Sequence, residues 1–172
     1  KKVDLEIIKS DLNLLDYFNN KNPISEISII SKENNIDQFT DFINEYDFNL
    51  ARNLIFKQIK NGKVKIISNI NFSEKNPKNI KYIINGYVKD AEIKLLNQTK
   101  IENIKFNFFL DQDFINLNKI EFVFDKIFVS SEEVNIKKIN NYFDVSGNFK
   151  TNKTKINLKN YTKLINTNLD LI

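Results

Sequence analysis

The chain has 172 residues, no Cys, His or Met, and a net charge of +4 from 26 basic and 22 acidic residues spread along its length. That length fits one ordinary domain or a slice of a longer repetitive architecture, with enough chain to bury a sizeable core. Lack of Cys excludes disulfides, zinc-finger ligation and thiol catalysis; lack of imidazole argues against metalloenzymes and triad hydrolases; interleaved charge leaves no electrostatic footprint for nucleic acid.

The 29 Asn, 27 Ile and 25 Lys residues, against three Gly and two Pro, follow the pattern of AT-rich codon usage, so abundant Asn or Lys is not read as a functional signal. With no Met even at position 1, the chain reads as a processed or internal segment of a longer protein. No stretch reaches the roughly 18–20 apolar residues of a membrane-spanning helix, and no signal-peptide pattern opens the chain, so any anchor is expected outside it.

In residues 2–9, Val3, Leu5 and Ile7 alternate with charged neighbours, which predicts a half-buried strand. Ser10 offers a cap for a short helix over 11–19, where Leu12, Leu15 and Phe18 recur at helical spacing and Leu14 pairs with Phe18. Residues 24–31 read as a strand with Ile27 and Ile29 on one face. Ile36, Phe39, Phe42, Ile43 and Tyr46 follow the capping candidates Asn35 and Asp37 at intervals of three or four, predicting an amphipathic helix. A second helix is predicted over 49–60 from Leu50, Ala51, Leu54, Ile55 and Ile59, with Asn61-Gly62 as its stop signal.

After Gly62 one grammar repeats: alternating apolar residues, a polar turn, then alternation again. Val64, Ile66, Ile70 and Phe72 are followed by a turn at 73–79, then by Ile80, Tyr82, Ile84 and Val88, with Gly86 in the inner register as a candidate bulge or close approach. Further strands carry Ile93 and Leu95; Ile104, Phe106, Phe108 and Leu110; and, after a hairpin connection at 111–113, Ile115 and Leu117 leading into Ile120, Phe122 and Phe124. The last third repeats the pattern in Ile127 and Val129, in Val134 and Ile136, in Phe143, Val145 and Phe149, and in Ile156 and Leu158. Short connections predict antiparallel neighbours. The fold class expected is α+β, predominantly β: a strand–helix–strand–helix segment over 1–62, a long antiparallel meander with one apolar face over 63–160, and an end at 161–172 that is ambiguous between helix and strand.

The apolar face has to be covered, because contiguous apolar patches beyond a few hundred Å² are rare on soluble proteins. A sheet that curls over the early helices into a filled core, an open groove for an apolar ligand, and a protein-interaction scaffold all satisfy the pattern. Chemistry-bearing motifs are scarce. The carboxylate pairs Glu132-Glu133 and Asp111/Asp113 fall in polar turns, and no phosphate loop, HExxH pattern or nucleophile elbow occurs. Phe and Lys alternate onto opposite faces, which does not build a single-strand nucleic-acid stacking platform.

Several segments carry a family resemblance. These are Lys60-Asn61-Gly62-Lys63-Val64, Ile70-Asn71-Phe72, the run Tyr82-Ile83-Ile84-Asn85-Gly86-Tyr87-Val88-Lys89-Asp90-Ala91, residues 101–108, and Phe143-Asp144-Val145-Ser146-Gly147-Asn148-Phe149. Their G-x-V-x-D-A rhythm and x-V-x-G-x-F strand resemble the AsmA-like proteins of the Gram-negative envelope, the group that includes the TamB-type and YhdP-type bridge-like lipid transfer proteins. The resemblance spans about two thirds of the chain. It implies a taco-like β-groove, periplasmic and tethered to the inner membrane by an anchor outside this chain, that carries phospholipids toward the outer membrane. It implies no catalytic residues, no metal and no cofactor, and it leaves room for envelope protein partners. Acyl chains would lie along Val64, Ile66, Ile70, Phe72, Ile84, Val88, Ile104, Phe106, Phe108, Phe122, Val145 and Phe149. The alternative is a non-enzymatic structural or interaction domain with a filled core.

Overall fold

Residues 2–19, 23–39, 59–72, 80–94, 100–139 and 142–152 are described by a computed structural model of the chain. Among them the architecture is a single open antiparallel sheet with few helical residues. Its strands are β1 (Leu5–Leu12), β2 (Ile24–Ser31), β3 (Asn34–Asn35), β4 (Ile59–Lys60), β5 (Lys63–Phe72), β6 (Ile80–Lys94), β7 (Lys100–Leu110), β8 (Phe114–Phe124), β9 (Ile127–Ile139), β10 (Tyr142–Gly147) and β11 (Lys150–Thr151). Spatial order across the sheet is β1-β2-β5-β6-β7-β8-β9-β10. The short strands continue longer ones: β3 lies with β2 along β5, β4 with β5 along β6, and β11 with β10 along β9. No helix among the described residues is long and apolar enough to cross a membrane.

Local chemistry accounts for the connections. At the β7–β8 hairpin the Asp111 carboxylate accepts from the backbone amides of Asp113 and Phe114, both at 2.9 Å, an Asx turn that bears out the connection expected at 111–113. The β8–β9 link is the two-residue turn Asp125-Lys126, both left-handed at φ 46° and 67°, the conformation that matches the twist of paired strands.

Strands of 10 to 15 residues in β5–β9 are long for globular proteins, and they are not straight. Asn61 and Gly62 (φ 54° and 87°), Asp90 (55°), Asn103 (54°) and Lys119 (52°) place left-handed residues on neighbouring strands, and the β6–β7 and β7–β8 registers slip beside Asp90, Asn103 and Lys119. Such bulges bend a strand and sharpen its twist. Here they line up into an oblique crease. The Gly62 position is built for it: a Cβ there would stand 2.7 Å from the Ala91 Cα. Ile36, the first residue of the helical stretch at 36–39, seats at this crease with Ile59, Val64, Val88, Ala91, Ile104 and Phe108, and Phe39 packs against them.

Several expectations change. Asn61-Gly62 is a kink between β4 and β5, and Ile59 is a buried strand residue; a left-handed backbone serves a helix stop and a bulge alike, so the dipeptide did not distinguish them. Ser10 lies inside β1, which runs on to Leu12, and the only helix there is α1 (Leu14–Phe18), capped by Asn13, whose side chain accepts from the Leu15 amide at 3.1 Å. An irregularity at Glu6 puts Leu5 opposite Ser31 and Ile7 opposite Ile30, so the alternation of Val3, Leu5 and Ile7 does not give one face. Ile93 belongs to β6, the run from Ile115 into Phe124 is the single strand β8, and the two runs read at 127–129 and 134–136 are the single strand β9. Because β1 and β2 pair into the same sheet as β5, the sheet does not begin at residue 63. Phe42, Ile43, Tyr46, Leu50, Ala51, Leu54, Ile55, Leu95, Ile156, Leu158 and the segment 161–172 lie outside the described residues.

Candidate functional site: an apolar sheet face

The register settles which side chains share a face, since directly opposed residues of an antiparallel pair point the same way. Val64 opposes Val88, which opposes Phe106; Ile66 opposes Gly86, which opposes Phe108, which opposes Leu117, which opposes Val134. Nearer the hairpin loops, Ile70 opposes Tyr82, Phe72 opposes Ile80, and Ile84 opposes Leu110, then Ile115, Ile136 and Val145. Beyond the crease, Ile104 opposes Ala91 and Phe122 opposes Val129. Phe149 meets Phe122 edge-on at a ring separation of 6.2 Å. Eleven of the twelve candidate residues therefore share one face, which Ile27 and Ile29 extend onto β2; Phe149 lies between β10 and β11, outside any strand, and meets that face through Phe122.

Cover over this face is uneven. Val64, Val88 (2% exposed), Ala91 (0%), Ile104 and Phe108 are buried at the crease. Ile70, Phe72, Ile84 and Leu110 toward the opposite end are half-buried, and Val145 and Phe149 at the β10 margin are exposed. Gly86 makes room for the Phe108 ring: a Cβ there would lie 2.6 Å from its Cζ. Polar residues are buried on this face as well, Asn34 and Ser68 among them, and Ser31 accepts from the Ile66 amide at 2.9 Å where the β2–β5 ladder ends.

The opposite face is mixed, with Ile30, Ile67, Ile83, Phe109 and Phe114 set among polar residues, and its asparagines do specific work that composition concealed. Asn107 donates to Asn118 (3.2 Å), Asn118 to Asn116 (3.0 Å) and Asn116 to Asn135 (2.9 Å), an amide chain that ties β7, β8 and β9 together. Ser28 donates to Asn69 (2.9 Å) in the same manner between β2 and β5. The cross-strand spacing of Asn at 107, 116, 118 and 135 was the available signal. On this face also, Lys89 ion-pairs with Glu33 and holds its carboxyl below the usual carboxylate range, while burial and the hydrogen bond it donates to Glu33 raise the Tyr87 hydroxyl above its own.

The two carboxylate pairs have visible local roles. Asp111 shapes its turn, Glu132 pairs with Lys150 at 2.7 Å, and Glu133 accepts from Asn116. Among the described residues, no cluster of three or more acidic, His or Cys side chains is placed to hold a metal ion. The most developed feature is thus a broad aliphatic and aromatic surface, buried at the crease and open toward β10. Comparison of the chain with protein-family models, curated proteins and solved structures finds no match.

Proposed function

We propose that this chain is a non-enzymatic section of a longer envelope protein whose apolar sheet face receives phospholipid acyl chains, as its resemblance to AsmA-like proteins implies. The observation that carries the reading is the apolar register running without a charged interruption from Ile27 and Ile29 on β2 to Val145 on β10, with its deepest burial at the crease. Each buried methylene contributes about 0.8 kcal/mol whatever its register, so such a surface favours sliding of chains over tight binding at one point. Headgroups would stay at the wet margin. Periplasmic location and an inner-membrane tether outside this chain belong to the same proposal.

A second reading is favoured by the packing at the crease. Ile36 and Phe39 sit on Val64, Val88, Ala91 and Phe108 as a filled core would have them, which suits a structural or protein-interaction domain. The readings separate by uptake of a phospholipid bearing an environment-sensitive fluorophore. The groove predicts blue-shifted emission on mixing with the chain, reduced in the folded variants Phe106→Asp and Val145→Asp and unchanged by Glu102→Gln on the exposed margin. A folded chain that leaves the probe in water favours the filled core.

A further inference from the structure

We propose that copies of this chain join edge to edge, β1 of one pairing antiparallel with β10 of the next, so that the sheet continues across the boundary. The eight strands of the main path alternate in direction, and because their number is even the two outer strands run opposite ways. Two copies placed side by side in the same orientation therefore present antiparallel edges, with the apolar face on the same side in both.

The side chains fit in one register. Among the described residues neither β1 nor β10 has a partner on its outer side, and all residues of both strands are exposed. On the apolar face, Ile8 aligns through Ile29 and Ser68, and Val145 aligns through Ile136 and Ile115. On the opposite face, Lys9 aligns through Ser28 and Asn69, and Asp144 through Lys137 and Phe114. Setting Ile8 against Val145, 63% and 62% exposed in the single chain, sets Lys9 against Asp144 at the next position. Neither charge has a side-chain partner among the described residues; Lys137, opposite Asp144, lies over the Phe114 ring instead. A long edge strand with apolar residues on it is a template for strand addition, and opposite charges directly across fix its register. The contact is head-to-tail, so it builds rows of copies unless rotation closes them. It stands whether or not the face takes acyl chains.

Sedimentation velocity across a wide concentration range tests it. The wild-type chain is expected to associate as concentration rises. Lys9→Glu and Asp144→Lys, both at exposed positions, should each weaken association at least about tenfold through like-charge contact. An equimolar mixture of the two variants should recover it, since every boundary can then set opposite charges across. A wild-type chain that stays monomeric throughout, single variants that associate as wild type does, or a mixture that fails to recover each overturns the proposal. Circular dichroism checks that the variants keep the sheet.

Discussion

Replacing Gly86 with Ala probes the register that aligns the apolar face. The new Cβ would meet the Lys65 carbonyl oxygen at 2.2 Å and the Phe108 Cζ at 2.6 Å. The ring can swing away, but the carbonyl belongs to the β5–β6 ladder, and it moves only if the strands part. Overpacking a core site costs about 1–3 kcal/mol, and with both obstacles present the upper end, about 3 kcal/mol, is expected. For a chain of this size that lowers Tm by about 6–12 °C. In urea, followed by far-UV circular dichroism, the midpoint should fall with an unchanged slope. A Phe108→Leu background separates the obstacles: the cost of Gly86→Ala falls below about 1 kcal/mol if the ring dominates and stays near 2 if the carbonyl does. A Gly86→Ala variant within about 0.5 kcal/mol of wild type refutes the alignment of Ile66, Gly86 and Phe108.

Lys119 adopts a left-handed backbone that costs an L-residue about 1–2 kcal/mol, so Lys119→Gly should stabilise the fold by about 0.5–1 kcal/mol and Lys119→Val should destabilise it, both read by urea unfolding. Asn116→Ala removes the link between Asn118 and Asn135 and is expected to cost about 1–2 kcal/mol in the same assay; no loss would mean that the amide chain is decorative. The Glu33 carboxyl is held below its unfolded pKa, first by its hydrogen bond to Lys89, so its contribution is full above the usual carboxylate range and is lost as pH falls through the lowered value. An NMR titration should place the Glu33 midpoint below that of an unpaired glutamate, and Lys89→Gln should return it toward the ordinary range.

The strands were legible because alternation is what a half-buried pleat requires, and Phe106, Phe108, Ile84 and Val88 fall on the predicted face. Bulges were not legible. Asp90 on β6, Asn103 on β7 and Lys119 on β8 interrupt the period by one residue without Gly to mark them, and β9 reads as two runs because its apolar positions shift by one between Val129 and Val134. Left-handed φ at Asn61-Gly62 is shared by helix stops and strand kinks, and only pairing partners far along the chain decide between them. The amide chain of Asn107, Asn118, Asn116 and Asn135 was lost in the overall excess of Asn, because its meaning depends on which strands are neighbours. For the site, period two identifies an apolar face but says nothing of what lies on it. The burial of Val88 and Ala91, beside the exposure of Val145, comes from the crease.

The most direct test of the lipid-bearing face is native mass spectrometry of the chain purified from bacterial cells with their membranes. The account predicts co-purifying phospholipid, with adducts that diminish in Phe106→Asp while the variant remains folded. A folded wild-type chain that carries no phospholipid, and acquires none when offered vesicles, contradicts it.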